Sequence, residues 1–337
     1  MACGVSQPTV SDWVAGNKRP RPSALLQLCR YLELDLSLAA EAVGYSAEAM
    51  KRLEGVEPRD ENDTLSVLEE LSKLIPEARF GGSPQVATSI AETICNQLGK
   101  GRFQASSESI RNKSVRLHAC VLAEQGRVLC ETIKGPTLVR YLSKIVDEVS
   151  ALASENNDLE LVGLAKTLRG GLRYSLGCHQ SSFQFHLDAS KMIKNKLWRV
   201  ESVRAATVAA GAIGSIASFR SSAVQAMQAL EAGVPRNWEA FILEGVARGQ
   251  SAFDLDQSWA RLDDAHKACD QAKTSIGGGS ILREIQITRS RLELLLKGSM
   301  RDRGAATNMG DRCIFLAVTC GYHRYADEIR ASLAEMN

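Results

Sequence analysis

The chain has 337 residues and a formal net charge of +2, with 45% hydrophobic and 24% charged residues. This length allows two or three domains, and the apolar content is sufficient for a core. The near-neutral charge excludes a protein that binds nucleic acid over its whole surface, so any such contact must be local. Aromatic residues make up only 5%. Because Ala and Leu are abundant and favour helices, the composition predicts an all-α fold.

The cysteines and the apolar segments indicate a cellular location. No apolar stretch approaches the roughly 18–20 residues of a membrane span, and no signal-peptide pattern opens the chain. The nine cysteines are odd in number and scattered, and none form a CxxC pair. A disulfide framework or a structural zinc site would need close pairs. We therefore expect reduced thiols, a cytoplasmic location and no membrane partner.

The stretch "GVSQPTVSDWVAGNKRPRP" lies almost at the start of the chain. The second helix of a helix-turn-helix unit enters the major groove of DNA, and its first turns face the base edges. Such a unit needs a turn residue, a hydrophobic plug, a cap and apolar anchors on the inner face. Gly4, Val5 and Ser6 supply the turn, the plug and the cap. Val10 and Trp13, three residues apart, supply the anchors.

The outward positions of this predicted helix carry polar groups that can read bases. The predicted base-reading residues are Gln7, Pro8, Thr9, Ser11 and Asp12. Gln pairs bidentately with adenine, Ser and Thr contact most bases, and Asp accepts from cytosine. Proline is tolerated in a first helical turn because its missing N–H has no partner there.

A basic loop follows the predicted reading helix. The predicted phosphate contacts are Ser6, Asn17, Lys18, Arg19 and Arg21. A basic run alone usually indicates a solvated loop, but this one directly follows the helix, where phosphate contacts would fix the register. The next segment, "PSALLQLCRYLELD", has leucines at helical spacing. The predicted core of the unit is Val5, Val10, Trp13, Leu25 and Leu28.

Together, residues 4–36 resemble the lambda-repressor-like family, the XRE or Cro/C1 type of helix-turn-helix regulator. The family pattern "GVSQxTVSxWxxGxxxPxxxxLxxLAxxLxV" is matched at Gly16 and Pro22 as well, while Cys29 stands where the family usually has Ala. The resemblance implies a DNA-binding transcriptional regulator whose partner is double-stranded DNA. It also implies a homodimer on two half-sites about one DNA turn apart.

The chain departs from the family at its N-terminus. The family has five helices, and the first helix and most of the second lie upstream of the residue that corresponds to Gly4. A three-helix remnant is marginal on its own, because very small cores are rarely stable. Two explanations are possible. Either residues are missing from this chain, because translation begins further upstream or the chain is a shortened form, or the protein has lost DNA binding. The surviving basic cluster favours missing residues. We predict an incomplete helix-turn-helix domain over residues 1–50.

The remainder reads as a linker over residues 51–63 and a helical domain over residues 64–337. The linker is charged, contains Gly and Pro and lacks apolar periodicity. The first helix of the domain is expected to stop at Pro76. Gly126 and Gly135 are expected to break later helices. No segment shows the alternation of a strand.

Self-similar segments recur in the helical domain. "GLRYSLGCH" (171–179), "GAIGSIASF" (211–219) and "GVARGQSAF" (245–253) begin 40 and 34 residues apart. Each places small residues on one helix face and precedes a second apolar-patterned helix, as in stacked helix-pair solenoids. The domain resembles tetratricopeptide-type (TPR) repeats, although the Trp, Tyr and Pro positions of that consensus are not cleanly present. An irregular helical bundle remains the alternative.

The resemblance implies that the helical domain senses an effector or dimerises. In regulators of this architecture the repeat surface binds a short peptide, so a peptide or protein effector is the expected partner. The first helices of the pairs would line such a groove. The candidate effector residues are Arg169, Arg173, Tyr174 and Arg248. The alternative function is a protein–protein interaction scaffold with a vestigial N-terminus that does not bind DNA.

No motif in the chain indicates an enzyme. "LGKGRF" lacks the spacing of a phosphate-binding loop, and no nucleophile elbow is present. Three groups, His118 with Cys120, Cys178 and His179 with His186, and His266 with Cys269, lack the three or four convergent ligands that a metal site needs. We therefore expect no catalytic residue, no cofactor and no metal.

Overall fold

The computed structural model of the protein describes residues 61–99, 107–273, 280–297 and 303–335. Within these ranges every element is a helix and there is no strand, which confirms the all-α prediction. The predicted helix-turn-helix segment, with its base-reading, phosphate-contacting and core residues, lies outside the described residues. No helix in the described ranges combines the length and apolarity needed to span a membrane.

The described residues form thirteen helices. They are α1 (Glu61–Phe80), α2 (Pro84–Gly99), α3 (Glu108–Thr132), α4 (Gly135–Glu155), α5 (Leu159–Ser175), α6 (His179–Met192), α7 (Lys196–Ile213), α8 (Ile216–Glu231), α9 (Arg236–Gln250), α10 (Leu255–Lys273), α11 (Ile281–Lys297), α12 (Arg303–Thr319) and α13 (His323–Ala334).

Helix α1 does not stop at Pro76, so that prediction is wrong. The helix continues through the proline to Phe80. A proline inside a helix removes one backbone hydrogen bond. Ile75 is fully buried beside it, and Arg79 donates to Glu124 at 2.9 Å one turn later. These contacts hold the last turn in place and offset the lost bond.

Gly126 does not break a helix either, because α3 runs through it from Glu108 to Thr132. A Cβ atom at Gly126 would lie 2.9 Å from a methyl carbon of Leu168 and 3.2 Å from one of Leu142. The glycine therefore allows close helix packing. Gly135, in contrast, has φ of +69° and begins α4, as predicted.

The described chain divides into two compact units. The first comprises residues 61–79, 85–99 and 107–124. Its core is aliphatic and comes from all three of its helices, with Leu68 and Ile75 on α1, Ile90 and Ile94 on α2, and Val121 on α3. The second unit comprises residues 80–84, 125–273, 280–297 and 303–335.

Helices in the second unit pack in a regular order. From α4 to α13 each helix contacts the next one along the chain. In addition, each of α5, α7, α9 and α11 contacts the helix two places further on. The odd-numbered helices from α5 to α13 therefore form a continuous series in direct contact, and the even-numbered helices connect them along the chain.

Small and polar groups determine how closely successive pairs approach. At the crossing of α7 and α9, a Cβ atom on Gly211 would lie 2.5 Å from the Gly249 carbonyl oxygen. Between α5 and α7, the hydroxyls of Thr167 and Ser202 hydrogen bond at 2.8 Å. The Glu160 carboxylate accepts a hydrogen bond of 2.7 Å from the backbone N–H of Asn195, the residue that caps α7.

Candidate functional site: a charged cavity in the second unit

The second unit contains a cavity of about 200 Å³ between its odd-numbered helices. Its lining includes more positive than negative side chains. The arginines are Arg127, Arg204, Arg248, Arg289 and Arg324, and the glutamates are Glu131, Glu201 and Glu244. Burying charge in a protein is costly unless each charge has a partner, so this concentration needs a structural account.

The charges come from a recurring pair of residues. On each of five odd-numbered helices, an Arg and a Glu lie three or four positions apart, and at least one of the two lines the cavity. The pairs are Arg127 and Glu131 on α3, Glu201 and Arg204 on α7, Glu244 and Arg248 on α9, Arg289 and Glu293 on α11, and Arg324 and Glu328 on α13. At this spacing both side chains lie on one face of a helix. Eight of these ten residues line the cavity, whereas Glu293 and Glu328 do not and are partly exposed.

Glu244 is the most deeply buried of the acids, with a side chain that is 1% exposed. Arg204 donates to its carboxylate, and the Ser290 hydroxyl donates to it at 2.7 Å. Burial alone would raise the pKa of Glu244, but the surrounding guanidinium groups and the Ser290 hydrogen bond lower it to about 2. Arg204 also donates through Nε to the Phe241 carbonyl at 3.0 Å. Both ions are thus held in fixed positions.

A second cluster lies at the α11 and α13 side of the cavity. The Glu328 carboxylate accepts from Arg289 at 2.9 Å and from Arg324 at 2.7 Å. Arg289 Nε lies 3.2 Å from Glu293, and Arg324 also donates to the Cys130 carbonyl. Burial raises the pKa of Cys130 to about 11, so the group is a protonated thiol at neutral pH and not a thiolate nucleophile.

Arg248 and Tyr174 make fewer close polar contacts than the residues of these clusters. The closest ion pair of Arg248 joins its Nε to Glu244 at 3.8 Å, which is too long for a hydrogen bond. Its side chain is 22% exposed. The Tyr174 ring packs against His179 with the centroids 4.8 Å apart, and its hydroxyl has no hydrogen-bond partner among the described residues. Both side chains line the cavity.

His186 lies in the same lining and is buried against Gly170. Burial is the main cause that lowers its pKa, to about 4, with the Arg204 charge acting in the same direction and Glu201 opposing. The ring is therefore neutral at pH 7. Its buried Nδ1 atom has no hydrogen-bond partner within the described part of the chain. A neutral imidazole can offer this nitrogen as a donor or an acceptor to a ligand.

Of the four candidate effector residues, the structure places Tyr174 and Arg248 in the lining of the cavity. Arg169 and Arg173 are not among the lining residues. The Arg169 guanidinium lies 5.9 Å from the centroid of the Phe185 ring, and Arg173 is exposed near the end of α5.

The sequence interpretation missed the other charged lining residues. Arg–Glu pairs at this spacing usually indicate exposed ion pairs on a helix surface. One signal was available: an Arg and a Glu three or four positions apart occur on five of the odd-numbered helices and on none of the even-numbered ones. Within the described ranges no group of three or more His, Cys, Asp or Glu residues is placed to hold a metal ion.

Comparison of the sequence with models of known protein families finds no match, and comparison with curated proteins finds no relative. Chemically, the cavity offers guanidinium, hydroxyl and imidazole groups beside fixed carboxylates, a set suited to binding a charged ligand rather than to nucleophilic chemistry.

Proposed function

We propose that the chain is a sequence-specific DNA-binding transcriptional regulator of the XRE type, acting in the cytoplasm. The single observation that supports this is the match of residues 4–36 to the family pattern. In the family pattern, the positions of Gln7 and Thr9 belong to the base-reading helix, and the cations Lys18 and Arg19 follow in the sequence where phosphate contacts are expected.

In this proposal the second unit is a TPR-like repeat domain that receives a peptide or other effector and supports a homodimer. The order of helix contacts favours this, because stacked helix pairs make contacts to their immediate neighbours. The cavity favours it too, since clefts with a few convergent polar groups are the usual ligand sites of proteins.

The direct test is selection of duplexes from a random library by the full chain. We expect enrichment of a half-site repeated about one helical turn apart. Binding should weaken steeply with added salt, because phosphate contacts release counterions. A failure to enrich any sequence at low salt would contradict the proposal.

Two sets of variants separate base reading from phosphate contact. Gln7→Ala with Thr9→Ala should relax sequence preference at the contacted positions by about 1–3 kcal/mol per base contact. Lys18→Ala should weaken binding to all sequences alike and reduce the salt slope by about 1. If the Gln7 and Thr9 changes left the preferred sequence and its discrimination untouched, the assignment of the reading helix would be wrong.

The alternative is a protein–protein interaction scaffold. One observation favours it: Phe315 and Val318 on α12 lie three residues apart and are 73% and 40% exposed. Large exposed apolar side chains on one helix face are typical of a protein contact surface. A chain that binds no duplex, yet loses self-association on Phe315→Ser in sedimentation experiments, would favour this alternative over the regulator.

A further inference from the structure

We propose that the cavity of the second unit binds a small ligand through one oxyanion group, a carboxylate or a phosphate, and that Arg248 is the residue that grips it. This inference concerns the effector half of the proposed function. It is tested without DNA, so its failure and the failure of DNA binding can be told apart.

Arg248 differs from the other cavity arginines, of which Arg127 pairs with Glu201 at 2.7 Å. Arg204 donates to a carboxylate and a backbone carbonyl, and Arg289 and Arg324 share the Glu328 carboxylate. Arg248 has only the 3.8 Å approach to Glu244. A guanidinium carries five N–H donors in a fixed fork that matches a carboxylate or phosphate. Arg248 thus keeps its donors available beside the cavity.

The carboxylate nearest to Arg248 belongs to Glu244. Glu244 is already engaged by Arg204 and Ser290, and it sits in a position fixed by both. To form a direct hydrogen bond with Arg248 it would have to leave these shorter contacts. An incoming oxyanion, in contrast, can approach the unoccupied N–H groups without breaking an existing pair. Arg248 is therefore a better partner for a ligand than for its neighbour.

Neutral groups line the same cavity. The buried Nδ1 of His186 has no hydrogen-bond partner within the described ranges, and the half-buried Tyr174 lies in the same lining. Buried polar groups in proteins are normally hydrogen-bonded, so this exception beside the cavity points to a ligand or to ordered water. A phosphate or carboxylate would accept from Arg248 and Tyr174 together.

Charge and size limit what can enter. The lining arginines exceed the lining glutamates by two, but Glu293 and Glu328 behind Arg289 balance that excess. The attraction is therefore local, and it favours a ligand with one or a few negative charges. A volume of about 200 Å³ is below the roughly 300–1,000 Å³ of drug-sized pockets. A small acid or the end of a larger molecule fits.

The test is isothermal titration of the full chain with succinate, citrate and inorganic phosphate, each at constant ionic strength. We expect saturable binding of at least one of them. A preference for succinate or citrate would identify a carboxylate ligand, and a preference for phosphate would identify a phosphorylated one. Absence of saturable binding by all three at millimolar concentration would overturn the proposal.

Variants show whether the binding uses the cavity. Arg248→Gln should weaken the best anion at least about tenfold, as expected for loss of a charge-assisted hydrogen bond. Arg248→Lys should recover only part of the affinity, because it keeps the charge and loses the fork. Arg236→Gln, on the same helix and 56% exposed, is the matched control and should bind like the wild type. Equal binding by the Arg248→Gln and Arg236→Gln variants would overturn the proposal, and circular dichroism would verify that both fold.

Discussion

The crossing of α7 and α9 depends on two glycines in contact, and replacing one of them tests the packing of the second unit. A Cβ atom on Gly211 would lie 2.5 Å from the Gly249 carbonyl oxygen and 2.6 Å from its Cα. These are backbone atoms, which cannot rotate away as a side chain would. The two helices would have to separate.

The expected magnitude follows from two opposing effects. Alanine in place of glycine inside a helix stabilises it by up to about 1 kcal/mol. Overpacking a tight contact costs typically about 1–3 kcal/mol, and more where backbone must move, because even a gap of about 1 Å loses a large part of the dispersion energy between the helices. We expect Gly211→Ala to lower the free energy of unfolding by about 2 kcal/mol.

Gly171→Ala is the matched control. Gly171 lies inside α5, and a Cβ atom there would meet no heavy atom within 4 Å. This variant should be as stable as the wild type, or more stable by up to about 1 kcal/mol. Urea unfolding followed by far-ultraviolet circular dichroism measures both, and amide hydrogen exchange of α7 and α9 localises the effect. If Gly211→Ala proved at least as stable as Gly171→Ala, the close contact of α7 and α9 would be refuted.

Two further predictions concern buried ionisable groups of the cavity. Because the pKa of His186 is lowered to about 4 in the folded chain, the unfolded chain binds an extra proton below about pH 6.5 and stability falls with acid. Between pH 7 and pH 5 this should cost the wild type about 2 kcal/mol, measured by urea unfolding, and His186→Gln should abolish that part of the pH dependence. An unchanged pH dependence in the variant would contradict the burial of a neutral ring. Glu244→Gln leaves the Arg204 guanidinium without its counter-charge and should lower the free energy of unfolding by about 3 kcal/mol, whereas Glu239→Gln, near the start of the same helix, should change it by less than about 0.5 kcal/mol. Equal losses in the two variants would mean that the buried pair contributes no more than a surface one.

The turn and helix signals of the sequence were reliable where a residue acts on its own backbone. Gly135 has a positive φ and begins α4 where the sequence places a break. These signals failed where packing against another helix affects whether a helix ends at the residue. Pro76 lies inside α1, held by the contacts that flank it, and Gly126 lies inside α3, where the absence of a side chain lets Leu168 and Leu142 pack against the helix.

For the cavity, too, the sequence predicted some of the lining residues and missed those whose burial depends on contacts between helices. Tyr174 and Arg248 were among the candidate effector residues because they lie on predicted first helices, and both line the cavity. Arg204 and Glu244 were missed, because an Arg–Glu pair on a helix has the same local pattern whether it faces water or a neighbour. Only the position of α7 beside α9 shows that these charges are buried.

By itself the sequence determined the all-helical fold, since the high content of helix-forming residues and the apolar spacing act within each segment of the chain. The sequence also showed the small residues that recur on one helix face of the self-similar segments, including Gly211 and Gly249. The tertiary structure alone decided which helices meet, which charges line the cavity and which arginine keeps its donors available. The physical reason is that helix formation depends on neighbours along the chain, whereas the burial of a charge depends on the groups that face it across an interface.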